Sequence, residues 1–358
     1  MNIMLVYGGK SVENDISVIT ACLARGHFVG DLYGVYFDKN NVPYLVGNDV
    51  SPSRHKATKH RRKVDFLFGQ SAIAVKRSWL PRRKIHIDVA VNCCHGACGE
   101  DGTVAALCKL CGIPLVGSDI VSSAVAMDKI ATKRALLGLG MPVLPYVAAR
   151  AEDDSFDVAS VPLPTVVKPS RLGSSIGVQL CRTSEELTAA LQTAFCYDRT
   201  VLCEHALSDF TEYNCSAMRV QGQVRVSRVD VPKTAHEILT FEDKYIDGGG
   251  KYLSANKTVC DIETARKVQS LTKQIYTEFD FSGVVRVDYI ADNTDGSLYV
   301  NEINSVPGSL AYGLWNDDYG MTEYGAALVQ QALDDFRAEQ TLITDFQSEV
   351  LTRGGGKK

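Results

Sequence analysis

The sequence predicts an α/β protein whose N-terminal unit is an open, mainly parallel sheet. Strand and helix signals alternate over residues 1–120, and a buried strand at 87–92 runs into a Gly-rich loop. Two apolar-alternating strands at 284–304 flank DNTDG (292–296), a hairpin turn signal. Sheets of the first kind bind ligands beyond the carboxyl ends of their strands.

Taken in order, residues 2–7 read as a strand entering Gly8 and Gly9, followed by a helix to about 25 and a second strand at 32–37. A short strand within 112–117 closes this unit. Helices around 121–139 lead to MPVLP (141–145), a strand at 164–169, a loop at 170–177 and a helix near 184–194. Strands near 201–205, 212–219 and 223–230 follow, then a Gly-rich segment at 247–250 and a helix from about 262 to 278. The 284–304 hairpin and a helix from about 324 complete the pattern. The expected division is 1–120, 121–200 and 201–345, with a tail at 346–358 whose RGGGKK end has no pattern that packs.

The 358 residues are 45% hydrophobic and 22% charged, an ordinary globular balance long enough for two or three domains. A net charge of −4 gives no field that draws the chain to nucleic acid or a membrane surface. No apolar run is long enough for a signal peptide or a membrane helix, so a cytoplasmic setting is expected. Eleven cysteines without a secretory signal read as reduced thiols. Cys108 and Cys111 have metal-ligand spacing, but 104–112 (VAALCKLCG) reads as one helix ending at a glycine, with both cysteines among its apolar positions. The basic stretches 54–63 and 76–84 lack interleaved aromatics and read as solvated faces.

Three segments carry chemistry. In 284–307 (VVRVDYIADNTDGSLYVNEINSVP), Arg286 and Asp288 share one strand face, and Glu302 and Asn304 share one face of the partner strand. Folding the hairpin gathers all four, with Val285, Val287, Tyr289 and Ile303 covering the other side. Two carboxylates and an amide are the hard oxygen donors that Mg2+ uses beside phosphates, and a neighbouring guanidinium suits developing negative charge. The loop KPSRLGSSIG (168–177) offers backbone amides and Lys168 to phosphate oxygens. HGACGEDG (95–102) lies at the end of the buried strand, where ligands dock, although Asp101-Gly102 is also a turn and helix-start signal.

Together with GGKSVENDIS (8–17), GIP (112–114), SSAVAMDK (122–129), RVD (286–288) and NEINSVPG (301–308), these segments occur in an order that resembles the D-alanine–D-alanine ligases of the ATP-grasp superfamily. The resemblance runs from residue 3 to about 335. It implies an ATP-grasp fold of three α/β subdomains with an N-terminal parallel-sheet (pre-ATP-grasp) domain, and ATP held between the central and C-terminal ones. It implies that Lys129, Lys168, Ser174 and Ser175 contact phosphates, with Glu204 near the adenine and Glu212 near the ribose. Asp288, Glu302 and Asn304 would hold two Mg2+ ions, with Mn2+ also admissible. Glu13 would bind the donor ammonium, His95 would lie near the donor, and Arg286 with the Gly308 amide would stabilise a tetrahedral intermediate. Lys244 and Tyr245 match a closing loop within 238–256, with Lys251 and Tyr252 as the alternative register. D-amino acids are the implied substrates and a homodimer the implied assembly.

The sequence departs from the family after Gly308, where an MTxxS run usually ends in the serine that binds the acceptor carboxylate. Here the run is SLAYGLW (309–315), which places Gly313 at that position and leaves Ser309 or Tyr312 as substitutes. Leu172 stands where a glutamate is common, and Arg171 beside it is similar to ligases with D-lactate or D-serine acceptors. The readings kept open are D-alanyl-D-alanine synthesis, ligation to another acceptor, and a non-catalytic nucleotide-binding module.

Overall fold

The computed structural model describes residues 1–47, 50, 61–76, 80–153, 155–232 and 260–346. The expected closing loop with Lys244, Tyr245, Lys251 and Tyr252, and the tail at 353–358, lie outside the described residues.

The N-terminal unit is built from β1 (Asn2–Gly8), α1 (Asn14–Ala24), β2 (Asp31–Phe37), β3 (Pro43–Gly47), β4 (Arg62–Leu67), β5 (Ala72–Val75), β6 (Arg83–His86), β7 (Val89–Asn92), α2 (Thr103–Cys111) and β8 (Leu115–Val116). These strands form one eight-stranded sheet, ordered β6-β5-β4-β3-β2-β1-β7-β8. The ladders joining β2, β1, β7 and β8 are parallel, whereas those from β2 out to β6 are antiparallel. The expected mainly parallel sheet is therefore only half of the observed one. The second half went unread because its outer strands bury one residue each, Val64 in β4 and Ile85 in β6. Charged neighbours hide that period, and Arg62, Lys63, Arg83 and Lys84 are exposed, which blunts the outer strands against further pairing. Cys108 and Cys111 on α2 pack with Ile87, Val104 and Ile113 as small hydrophobes, and burial raises both thiol pKa values.

The second sheet is antiparallel, ordered β11-β10-β12-β9, from β9 (Tyr146–Arg150), β10 (Thr165–Pro169), β11 (Gln179–Cys181) and β12 (Thr200–His205). Strands β9 and β11 had no expected counterpart. Strand β12 was expected with the C-terminal unit, yet its partners are β10 and β9. Two helices, α3 (Ile120–Met127) and α4 (Lys129–Gly138), precede this sheet in sequence but send Ala126 and Leu136 into the core of the third. Helix α5 (Ser184–Phe195) covers the second sheet and starts at a capping box between Thr183 and Glu186.

The third sheet is antiparallel, ordered β14-β13-β15-β16, from β13 (Phe210–Val220), β14 (Gln223–Val226), β15 (Val284–Asp292) and β16 (Leu298–Asn304). Strand β14 stops short of the expected 230, and Asp230 instead makes an isolated bridge to Asn214. Helix α6 (Ile262–Glu278) backs the sheet through Val268, Ile275 and Tyr276. Among the described residues no helix is long and apolar enough to cross a membrane.

The last helix, α7 (Met321–Gln340), returns to the first sheet. Its Tyr324, Leu328, Val329 and Ala332 share one core with Ile3, Leu5, Val89 and Val91. The approach is closest at Gly325, where a Cβ would stand 1.9 Å from the His27 carbonyl oxygen. Alanine in a helix interior normally gains about 1 kcal/mol over glycine. Here the backbone contact reverses the sign: Gly325→Ala is expected to lose about 1–3 kcal/mol, read as a lower urea midpoint. A midpoint at or above wild type would contradict this docking of α7.

Candidate active site

The β15–β16 ladder sets Arg286 opposite Asn304 and Asp288 opposite Glu302, and the four expected residues meet on one face. Val285, Val287, Tyr289 and Ile303 are buried on the other. Arg286 donates from Nε (2.6 Å) and Nη2 (2.7 Å) to the two oxygens of Asp288. Asn304 Nδ2 adds a bond of 3.0 Å, and the Asn214 amide, oriented to donate, adds another of 3.0 Å. Asp288 is thus fully hydrogen-bonded in a half-buried position. The register shifts between Asp288 and Tyr289, which leaves Asn301 as an extra residue and brings it into the cleft beside Glu302.

A cleft runs between the second and third sheets. Lys129, Lys168, Ser175, Glu204, Glu212, Asp288 and Glu302 line it, so these expected residues are brought together. Lys168 Nζ donates to Glu204 Oε2 at 2.6 Å and to Asn301 Oδ1 at 3.3 Å. Lys133, one helical turn after Lys129, pairs with the other oxygen of Glu204 deep in the interior. Burial works against the Glu204 charge, but Lys168 and Lys133 outweigh it and hold its pKa low. Lys129 Nζ donates to the Leu172 carbonyl at 2.6 Å and lies 3.7 Å from Glu302.

A second cleft opens toward the N-terminal unit, lined by Glu13, His95, Ser174, Arg286, Gly308 and Ser309 among others. The two clefts share Gly173, Asn214, Arg286 and Glu302, so they meet at the hairpin. Glu13, just before α1, is 2% exposed. Its carboxylate fits between two glycines: a Cβ on Gly96 would stand 2.6 Å from Oε2, and one on Gly173 would stand 3.0 Å from Oε1. The Ser174 hydroxyl donates to Oε1, while Oε2 is buried with no hydrogen-bond partner among the described residues. Burial raises the Glu13 pKa, against the opposing influence of Ser174, Lys129 and Gly173. Nearby Glu100 accepts the Gly96 amide at 2.7 Å. Burial and then the Glu13 charge push its pKa up to about 8.

His95 is buried, with Nε2 at 2.7 Å from the Thr20 hydroxyl and its amide donating to Ser17 Oγ at 2.8 Å. Burial first, then the Arg286 charge, bring its pKa down to about 4. The floor of this cleft is the turn after Pro307, where Ser309, Leu310 and Ala311 have φ values of 49°, 52° and 57°. Left-handed backbone costs roughly 1–2 kcal/mol per non-glycine residue. Ser174 and Ser175, with φ of 55° and 57°, put the same conformation on the facing wall.

Sequence reasoning missed Thr20, Glu100, Lys133, Asn214, Arg228, Asp230 and Asn301. Lys133 was within reach, since it follows Lys129 at the i+4 spacing that shares a helix face. Asn214 carried no local signal, because its placement depends on the β13–β15 pairing, whereas Asn301, although inside the 301–308 motif, reaches the cleft only through a bulge.

The His95 environment sets the sign of a pH effect. With a folded value near 4 against 6.5 when unfolded, unfolding takes up a proton between those values. His95 therefore costs stability as pH falls from 6.5 to 4 and costs nothing above that window. His95→Asn is expected to remove on the order of 3 kcal/mol of this acid loss, measured by urea unfolding at pH 4.5 and 7. An unchanged pH dependence would contradict the neutral, buried imidazole.

Residues 2–118 match the family model of the D-ala D-ala ligase N-terminus, and residues 136–322 match that of the D-ala D-ala ligase C-terminus. A D-alanine–D-alanine ligase of a Nitratiruptor species is 33% identical over 320 residues, 88% of this chain and 90% of the relative. One from Helicobacter hepaticus is 32% identical over 331 residues, 90% of this chain and 91% of its own. The crystal structure of the D-alanine–D-alanine ligase from Helicobacter pylori aligns with a TM-score of 0.77 at 25% identity, covering 92% of this chain and 98% of that one. Two antiparallel sheets facing across a cleft, with a separate N-terminal sheet, are thus the ATP-grasp arrangement that the resemblance implied. The chain belongs to the D-alanine–D-alanine ligase family of ATP-dependent ligases.

Proposed function

We propose that the protein joins two D-alanine molecules into D-alanyl-D-alanine, converting ATP to ADP and phosphate. The observation that carries this reading is the junction of the two clefts at Gly173, Asn214, Arg286 and Glu302. A nucleotide in one cleft can present its terminal phosphate there to a carboxylate in the other. In this reading ATP lies between the second and third sheets, with Lys129, Lys168, Ser174 and Ser175 toward its phosphates. Glu204 and Glu212 lie toward its base and ribose.

The donor enters beside Glu13, whose buried Oε2, without a hydrogen-bond partner among the described residues, accepts its ammonium group. Ser174 holds the other oxygen of Glu13, and neutral His95 flanks the site. The donor carboxylate attacks the γ-phosphate, ADP leaves, and an acyl phosphate forms. The acceptor amine then attacks the acyl carbon, and the collapsing tetrahedral intermediate expels phosphate. Arg286 and the Gly308 amide face the oxyanion of that intermediate, and Ser309 contributes to the acceptor side. Phosphoryl transfer needs mainly positioning and charge neutralisation, which this residue set provides. An acyl phosphate must also be kept from water, the role that the resemblance implies for the segment with Lys244 and Tyr245, which lies outside the described residues.

The donor chemistry of Asp288, Glu302 and Asn304 fits Mg2+, or Mn2+ in its place. Two carboxylates sit together, and rotating the Asn304 amide exchanges its N–H donor for an oxygen donor. Two such ions held there would neutralise the phosphate oxygens.

A coupled ADP-release assay with D-alanine as the sole amino acid should show turnover, with the dipeptide identified by mass spectrometry. No turnover with D-alanine, while another acceptor works, would reject the D-alanine assignment. Glu302→Gln is expected to lower turnover by more than about 100-fold, with unfolding changed by less than about 1 kcal/mol. Wild-type-like turnover in that variant would refute the metal assignment. EDTA should abolish activity, and added Mg2+ or Mn2+ should restore it.

A further inference from the structure

An α-amino acid acceptor brings a carboxylate into the second cleft, and that carboxylate needs a cationic partner. Gly313 lines this cleft without a side chain, so no hydroxyl is available at that point. Among the described residues lining it, the cationic groups are Arg228 and Arg286, since the low pKa of His95 keeps its imidazole neutral. The other ionisable residues there are Glu13, Glu100, Asp230 and Glu302, all of them carboxyl groups. Arg286 already spends its Nε and Nη2 on Asp288 and stands at the junction with the nucleotide cleft.

Arg228 is placed differently. It follows β14 and is held near β13 by the Asn214–Asp230 bridge. Its Nη1 donates to Asn316 Oδ1 at 2.7 Å and to Asp317 Oδ2 at 2.9 Å, and its Nη2 donates to the Gly313 carbonyl. These bonds fix the guanidinium plane against the backbone of Gly313. Its Nε–H and second Nη2–H have no partner among the described residues, and the side chain is 23% exposed in a cleft wall. A planar donor group, pre-oriented and with two N–H groups to spare, suits a carboxylate.

We infer that Arg228 anchors the acceptor carboxylate and so makes the enzyme select an acceptor that carries one. The inference rests on the ligase reading above. The group recognised is the carboxylate of an α-amino acid, held against the Gly313 backbone on the side of the cleft away from the nucleotide.

The test is an internal competition between D-alanine and D-alaninamide as acceptors, with D-alanine as donor. D-alaninamide has no carboxylate to activate, so it can act only as an acceptor. The ratio of D-alanyl-D-alanine to D-alanyl-D-alaninamide, read by mass spectrometry, does not depend on how much enzyme is folded. Wild type should strongly favour the free acid. Arg228→Met should lower the ratio about 10- to 100-fold, the range for losing hydrogen bonds to a charged group. Arg228→Lys, which keeps the charge but loses the fork, should fall between and serves alone should the methionine variant not fold. A ratio unchanged in the variants, with only the overall rate reduced, would show that Arg228 merely supports the 313–317 turn and would overturn the inference. Wild type making neither product would overturn the ligase reading, and the inference with it.

Discussion

Register in the β15–β16 hairpin is the constraint on which the site depends. Side chains alternate across a strand, so a slip of one residue would exchange the two faces. Arg286 and Asp288 would then turn into the core formed by Val268, Ile275 and Tyr276, and Val287 and Tyr289 would face the cleft. Burying an ion pair without its surrounding hydrogen bonds costs several kcal/mol per ion, and exposing two core side chains adds to this. The apolar face thus selects the register, and the register assembles the charged face. Folding and chemistry share one determinant here. The bulge at Asn301 is the only departure in this ladder, and it gives the cleft two consecutive polar residues where strict alternation would have supplied one.

The charges around that hairpin are arranged for ligands more than for the protein alone. Glu13 and Glu100 are buried near one another, and their raised pKa values show that the protein alone does not supply enough positive charge to ionise both freely. In the reading proposed above, an ammonium group entering beside Glu13 supplies it, so that binding such a ligand favours the ionised carboxylate and is linked to proton release. Lys168, Lys133 and Glu204 behave in the opposite way. They form a closed set in which the carboxylate remains charged, giving the cleft between the second and third sheets a wall whose charges are already paired. One cleft is therefore incomplete without its occupant, and the other is largely pre-formed.

How much of this was legible in the sequence differs by element. The hairpin was readable because its two faces differ so sharply: Val285, Val287 and Tyr289 alternate with Arg286 and Asp288 over a short span. The parallel strands β1, β2 and β7 were readable as apolar runs. The antiparallel extension was not, since β4 and β6 bury single residues amid basic ones and their pairing is set by distant partners. The same reason hid β9 and β11, short strands with little internal pattern. Within the site, most residues found belong to the ordered motifs, although Glu100 and Asn301 were passed over there, whereas Asn214, Arg228 and Asp230 lie outside any motif. They reach the clefts from β13 and the segment after β14, where nothing local marks them, and only the long-range ladder brings them in.

The strained turn at 309–311 shows how the acceptor side can tolerate sequence change. Three successive left-handed residues would not persist in a free loop, so the surroundings must over-determine them. Leu310 and Ala311 are buried, the Tyr324 hydroxyl donates to the Leu310 carbonyl at 2.6 Å, and the His27 ring lies 4.7 Å from that of Tyr312. Just beyond, Trp315 Nε1 donates to Ser216 Oγ on β13 at 3.0 Å, pinning the end of the turn to the third sheet. The shape of this wall is consequently set by backbone held from beneath, through α7 and the first sheet, and not by the side chain at 313. Loss of a side chain there leaves the contour intact and changes only which group meets the acceptor. In the reading proposed here that group is a guanidinium on a neighbouring element, itself bonded to the Gly313 carbonyl. Contour and charge are then supplied by separate parts of the chain, so either can vary without dismantling the other.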